Sequence, residues 1–328
     1  MIDLTKIAIT NTQEEQNGQS PKFWTNINGV NYLFKANYFY PVQTKTNFGE
    51  VLYTRLGKKL GFPVVESTIA RGETNGNVTE GVLVKSFFEI GDTESITLKD
   101  IKSFALEHKI DGIYESSVES DMIAINHFAK ATNKRFDYSK TELEMYKLAI
   151  VDYFLGQGDR HERNIEFILN ANNSLRLAPA FDNGHCLAFK QPYFSVKLFV
   201  DKLDKHANTQ KPFGDNVRLS LKSHYNDHYK TKNCSDTNFI FDMINLSNHN
   251  SEIKEFITNI LKLDIKQELD DLEKESNAKI DDEYKRLSNE IFKNRCENFL
   301  LKVSTKEHTL STIPTTNINT KSHLSNTK

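Results

Sequence analysis

The period of the hydrophobic positions changes along the chain. Over 23–27 and 30–36 the residues form β-rich runs, and Asn28-Gly29 between them supplies the two positive φ angles of a type I′ turn, predicting a hairpin. Phe48, Leu52, Leu56 and Leu60 then recur every four residues, which predicts a helix opening at Asn47 and closed by Gly61 and Pro63. Strands are predicted over 64–71 and 81–88, divided by the turn-rich stretch 72–77.

From about residue 95 the spacing becomes helical. Met122, Ile123, Ile125, Phe128 and Ala129 mark a helix over 119–132, and 141–155 reads as a second, opened by the capping box Thr141-Glu142-Leu143-Glu144 and stopped by Gly156 and Gly158. A dense polar loop, 156–164, follows. Short strands are predicted at 165–169 and 175–177, leading to a second polar loop, 178–185. Further on, amphipathic helices are predicted over 251–263 and, as one long element, 265–301, with Leu269, Leu272, Ile280, Leu287 and Ile291 on a stripe expected to pack on the large lobe. A short coiled coil with a partner is the alternative use of that stripe. Residues 302–328 are rich in Ser, Thr and Asn, and are expected to be a disordered tail.

Composition narrows the class. With 328 residues, 22 Phe and 12 Tyr, the chain can bury a large core, and Lys plus Arg (42) nearly balances Asp plus Glu (44), so no global charge draws it to nucleic acid or an anionic bilayer. Three widely spaced cysteines, Cys186, Cys234 and Cys296, suit neither a disulfide framework nor a zinc site. No signal peptide or spanning stretch is evident, so a cytoplasmic protein is expected, with any export by another route.

The candidate chemistry lies in the order of polar residues rather than in any one of them. Gly18, Gln19, Ser20 and Lys22 belong to a loop able to bring backbone N–H groups to phosphate oxygens, although such stretches are commonly plain turns. Lys35 sits among apolar neighbours, either as a snorkelling edge lysine or as an inward cation needing an anion. Glu50 either reaches back to cap Asn47 or points into a cleft toward Lys35. The hairpin after the first polar loop folds the chain back, bringing Asn164 toward Asp182. One carboxylate and one amide oxygen suit Mg²⁺, which fills its shell with water and substrate phosphates. Asp159, five residues before Asn164, is then placed to orient an attacking hydroxyl. Each has a bland reading: a turn cap for Asp159, a backbone bridge for Asn164 and an Asx turn for Asp182.

Gly158-Asp159-Arg160-His161-Glu162-Arg163-Asn164 and Phe181-Asp182-Asn183-Gly184-His185 resemble the catalytic and metal loops of HipA-like serine/threonine kinases, and also those of phosphatidylinositol 3/4-kinases. The stretch Gly18 to Phe23 is similar to the nucleotide loop of the HipA group, and the resemblance spans roughly residues 17 to 190. It implies an α+β, two-lobed protein-kinase-like fold, with a β-rich N-terminal lobe (1–90), a mainly helical C-terminal lobe (91–301) and the tail. It further implies ATP, with Mg²⁺ or Mn²⁺, and a protein substrate phosphorylated on Ser or Thr, with autophosphorylation. Carried over by motif, Asp159 is catalytic, Asn164 and Asp182 hold metal, Lys35 binds phosphate with Glu50 as its partner, and Lys85, Ser86 and Phe87 form the adenine-binding hinge. His161 matches as a phosphate contact or structural histidine, in preference to a general base. Asn183 departs from the Phe common in this position, and the short segment before the glycine loop argues against an antitoxin partner. An ATP- and Mg²⁺-dependent serine/threonine protein kinase is the leading expectation, and the resemblance also raises a bacterial effector delivered outside its producer. A lipid kinase and a nucleotide-binding pseudokinase scaffold are the alternatives.

Overall fold

The computed structural model describes residues 1–6, 13–14, 21–37, 44–74, 76–113, 117–207 and 248–305. The N-terminal part is a six-stranded sheet of β1 (Ile2–Asp3), β2 (Gln13–Glu14), β3 (Lys22–Ile27), β4 (Val30–Ala36), β5 (Ser67–Thr74) and β6 (Asn77–Lys85), in the order β1-β5-β6-β4-β3-β2. Within this sheet, among the described residues, only the β1–β5 pairing is parallel. The β3–β4 turn forms as its sequence dictates, with Asn28 at φ 53° and Gly29 at φ 82°. The second hairpin is tighter than expected: β5 begins three residues later than 64, and β5 and β6 pair as far as Thr74 and Asn77. The strand period there outlasts the turn-prone composition.

Strand parity decides which side chains reach the cleft. Phe34, Ala36, Ala70 and Leu83 pack with Phe23 and Leu4 on one face of the sheet. Ile69, Val82 and Val84 alternate to the other face and join the main core with Phe48, Leu52 and Leu56 of α1 (Thr46–Lys59). Lys35, opposite Val82 in register, therefore projects on the α1 side of the sheet.

The C-terminal part is mainly helical: α2 (Leu98–Glu107), α3 (Val118–Ala131), α4 (Tyr138–Phe154), α5 (Tyr193–Ala207), α6 (Asn250–Ile260), α7 (Ile265–Ser276) and α8 (Asp282–Thr305). It carries a small sheet of β7 (Asp92–Thr97), β8 (Arg135–Phe136), β9 (Glu166–Asn170) and β10 (Ser174–Leu177), in the order β7-β9-β10-β8. The chain thus has the α+β, kinase-like division into a β-rich N-terminal region and a helical C-terminal region.

Three boundaries correct the sequence reading. Asp137, not Thr141, caps α4: its carboxylate accepts from Lys140 N at 3.0 Å, and Thr141 lies inside the helix. The single helix expected over 265–301 is two, because Asn277 adopts the left-handed conformation (φ 51°) and Glu273 accepts the Ile280 N–H at 2.9 Å. The last helix runs on through Thr305, so 302–305 are not tail; 306–328 lie outside the described residues. All five stripe residues from Leu269 to Ile291 are buried. Their helices also reach the small lobe: Arg55 of α1 pairs with Glu268 at 3.4 Å and Glu275 at 2.5 Å of α7, and Lys59 donates to Glu268.

Candidate active site

The two polar loops meet because one guanidinium is buried between them. Arg160 is fully buried, and burial would by itself favour the neutral form, but Asp152 from inside α4 outweighs this and keeps it charged. Arg160 Nε and Nη2 donate to the two Asp152 oxygens at 2.9 and 3.3 Å. Its Nη1 donates to the carbonyls of Phe181 at 2.6 Å and Asn164 at 3.3 Å, and Nη2 to Asn183 Oδ1 at 2.5 Å. Tyr53 of α1 completes the set, donating its hydroxyl to Asp152 at 2.8 Å. Every donor of this fork has an acceptor, which is the condition for burying a charge.

The loops then present their remaining polar groups to one cleft of about 1300 Å³, lined by Lys35, Glu50, Asp159, Asn164 and Asp182 among others. Asp182 sits at φ 56°, its carbonyl held by Gln157 Nε2 at 2.9 Å. Its carboxylate faces Lys35 Nζ at 3.0 Å, rather than folding into an Asx turn. Glu50 faces the same Nζ at 3.4 Å through Oε1, and its Oε2 accepts the Asn183 N–H at 2.9 Å. The capping reading of Glu50 is therefore set aside: the α1 N-cap position is Lys45, with no side-chain bond. Lys35 is inward, not a snorkelling edge residue. Burial would lower its pKa, but Glu50 and Asp182 outweigh that and raise it; Lys35 in turn holds the Asp182 carboxyl low against burial.

α1 approaches the second loop so closely that a Cβ on Gly49 would collide with the Gly184 carbonyl oxygen. Cys186 lies under the same contact, donating Sγ–H to the Gly49 carbonyl at 3.3 Å.

Asp159 projects from the first loop, with Oδ2 3.4 Å from His185 Nδ1. Asn164 holds that loop's shape, donating Nδ2 to the Asp159 carbonyl at 2.8 Å, so half of its amide serves the structural role weighed from sequence. Its Oδ1 and the second Asp182 oxygen accept no hydrogen bond among the described residues, and both residues line the cleft. These two oxygens fit a hard divalent ion completed by water and substrate phosphates. Among the described residues no cluster of three or more His, Cys, Asp or Glu could form an all-protein cage. His161 lines the cleft and is exposed; its carbonyl accepts the Asn164 N–H at 2.8 Å, but its ring makes no hydrogen bond among the described residues, so it is not a structural histidine whose imidazole is tied to backbone.

Beyond β6, Phe87 stacks on Phe88 at 5.3 Å and meets Phe181 at 5.5 Å, forming an aromatic wall at the back of the cleft. Lys85 and Ser86 spend their N–H groups on the carbonyls of Glu66 (2.8 Å) and Asn31 (2.9 Å), which leaves the Phe87 N–H. Lys22 lies opposite Lys35 in the β3–β4 ladder and lines the cleft. Gly18, Gln19 and Ser20 lie outside the described residues. Sequence reasoning gave no role to Arg160, Asp152, Tyr53 or Lys190. The Arg within Asp159-Arg160-His161 was the available signal, but it reads as a surface charge until Asp152 is known to face it.

A family model, the HipA-like C-terminal domain, matches residues 6–263. The chain belongs to this family. Its fold is similar to that of a Helicobacter pylori proinflammatory kinase, CtkA, with a TM-score of 0.59 at 18% identity, covering 93% of this chain and 99% of that one. It is also similar to HipA from Shewanella oneidensis MR-1, solved with HipB and operator DNA, with a TM-score of 0.52 at 11% identity, covering 92% of this chain and 70% of that one. No curated protein matches the chain in sequence. Among the described residues no helix is long and apolar enough to cross a membrane.

Proposed function

We propose that this chain is a serine/threonine protein kinase that uses ATP with Mg²⁺ or Mn²⁺. The observation that carries the reading is the joint placement of Lys35, Glu50, Asp159, Asn164 and Asp182 around one cleft, although 147 positions separate Lys35 from Asp182. Phosphoryl transfer needs little covalent chemistry from the protein; it needs positioning and charge neutralisation, and this set supplies both.

In this reading residues 1–90 form the nucleotide lobe and 91–301 the acceptor lobe, with Lys85, Ser86 and Phe87 as hinge. Adenine enters against Phe87, the nucleotide loop with Gly18, Gln19, Ser20 and Lys22 covers the phosphates, and Lys35 donates to their oxygens while Glu50 fixes its direction. Asn164 and Asp182 would hold the metal, which would draw charge from the phosphate oxygens. Asp159 accepts the acceptor's hydroxyl hydrogen bond and orients the oxygen for attack. His161, exposed at the cleft, contacts phosphate rather than acting as the base. Exposed Phe194, which lines the cleft mouth, with Tyr193 and Leu198 beside it on α5, favours a protein acceptor.

The test is thermal unfolding with and without Mg·ATP, followed by transfer assays on a protein substrate and on phosphoinositide vesicles. A rise in Tm with label on protein Ser or Thr supports the reading. Label on lipid alone makes the acceptor a lipid, and binding without transfer to any acceptor makes the chain a nucleotide-binding scaffold.

A further inference from the structure

The cations around the cleft are not equivalent. Lys35 faces two carboxylates, and Arg163 is exposed to water. Lys190, on the stretch leading into α5, is half-buried, lines the same cleft, and has no ion pair or hydrogen bond among the described residues. Its ammonium rests against the backbone of the first polar loop: a Cβ on Gly158, the residue before Asp159, would overlap Lys190 Nζ.

A half-buried ammonium without a counter-ion is costly unless an anion arrives from outside the chain. Burial lowers its pKa; the Asp159 charge offsets part of this and Arg295 adds to it. The charge balance indicates which anion. Glu50, Asp159, Glu166 and Asp182 bring four carboxylates to the cleft, Lys35 is already engaged with Glu50 and Asp182, and the Asp159 carboxylate has His185 as its ion-pair partner among the described residues. Lys190 is thus a half-buried positive charge, without an ion-pair partner among the described residues, at the end of the cleft where Asp159 stands.

We propose that Lys190 binds the terminal phosphoryl group of the nucleoside triphosphate, at the edge facing the acceptor and opposite Lys35. This rests on the kinase reading above. In transfer, the acceptor oxygen forms a bond to the terminal phosphorus as the bond from that phosphorus to the β–γ bridging oxygen breaks. The hydroxyl proton passes to Asp159, and the diphosphate leaves with the bridging oxygen and its electron pair. Lys190 gives up no proton. Its ammonium hydrogens donate to the non-bridging oxygens, holding the moving group in line between diphosphate and hydroxyl.

The experiment compares Lys190→Met and Lys190→Arg with wild type, measuring calorimetric affinities for ADP and for a non-hydrolysable ATP analogue with Mg²⁺, alongside kcat and KM. Removing a group that touches only the terminal phosphate should leave ADP affinity unchanged and weaken the analogue about tenfold. It should lower kcat about 10²-fold, with KM for the acceptor unchanged. Lys190→Arg should restore most of the preference for the analogue. Because the burial cost of an unpaired ammonium is relieved, Lys190→Met should melt no lower than wild type; if it fails to fold, Lys190→Gln replaces it. Equal weakening for ADP and the analogue, or an unchanged ratio with unchanged kcat, overturns the proposal while leaving the kinase reading intact. Failure of wild type to bind either nucleotide overturns both.

Discussion

Glu50 Oε2 accepts the backbone N–H of Asn183 at 2.9 Å, tying the helix of the small lobe to the loop that carries Asp182. The other oxygen of the same carboxylate faces Lys35 at 3.4 Å. A single buried side chain therefore sets both the direction of the cleft lysine and the distance between α1 and the second polar loop.

Removing that carboxylate should cost stability and alignment together. Glu50→Ala leaves a buried Asn183 N–H without an acceptor and Lys35 with one partner fewer, so a loss of about 3 kcal/mol is expected in urea unfolding. Glu50→Gln keeps an acceptor for Asn183 and should recover part of the stability but little of the activity. A double cycle with Lys35→Met separates the pair energy from the cost of an orphaned partner.

Arg160 should be irreplaceable by lysine. A lysine keeps the charge but cannot serve Asp152, the Phe181 carbonyl and Asn183 in one plane. Both Arg160→Lys and Arg160→Met are expected to lower stability, the latter by about 3–5 kcal/mol because Asp152 is left charged and buried. Lost protection in hydrogen exchange across 156–164 and 181–185 would show that both loops have come loose.

Gly49→Ala pits two effects of opposite sign. Alanine gains about 1 kcal/mol of helix propensity over glycine. The new methyl group meets the Gly184 carbonyl, a backbone atom that cannot rotate away, and such overpacking costs typically about 1–3 kcal/mol. Space should win: the variant is expected to be less stable, and its nucleotide affinity should fall with it. A more stable variant with full affinity would show that the close approach is not needed.

The Lys35–Asp182 pair predicts a pH dependence. The folded carboxyl of Asp182 lies below its ordinary 3.8, so its contribution to stability is present above that value and lost as pH falls through the folded one. Lys35 is raised above its ordinary 10.5, so its contribution is full below that pH and lost only in stronger alkali. Between these limits the pair should be insensitive to pH. In Lys35→Met the Asp182 carboxyl loses its cation and should titrate at a higher pH, a shift readable by NMR of the labelled carboxyl carbon.

Local periodicity made much of this fold legible. The β3–β4 hairpin, α1, α3 and the β9–β10 hairpin follow from alternation, four-residue spacing and turn chemistry, and the order of the polar loops named the cleft. Long-range pairing was less accessible. Glu50 read best as a cap because Asn47 is near in sequence, whereas Asn183 is 133 positions away. The structural role of Arg160 was not legible because its partner Asp152 is hidden in an apolar helix. Lys190 had no motif at all; only the fold places its ammonium against Gly158. The break at Asn277 was missed because the apolar stripe continues across it, while the left-handed turn needs only one permissive residue.

On the proposed reading Asp159 and Asp182 serve phosphoryl transfer at one site. The most direct measurement follows label from γ-labelled ATP, with Mg²⁺ or Mn²⁺, into a Ser/Thr protein substrate and into the chain itself by intact mass, for wild type, Asp159→Asn and Asp182→Asn. Incorporation by wild type that is lost in both variants, with ATP still raising the Tm of Asp159→Asn, is the predicted result. Transfer at the wild-type rate by Asp159→Asn, or no incorporation by a wild-type protein that binds ATP, would overturn these roles.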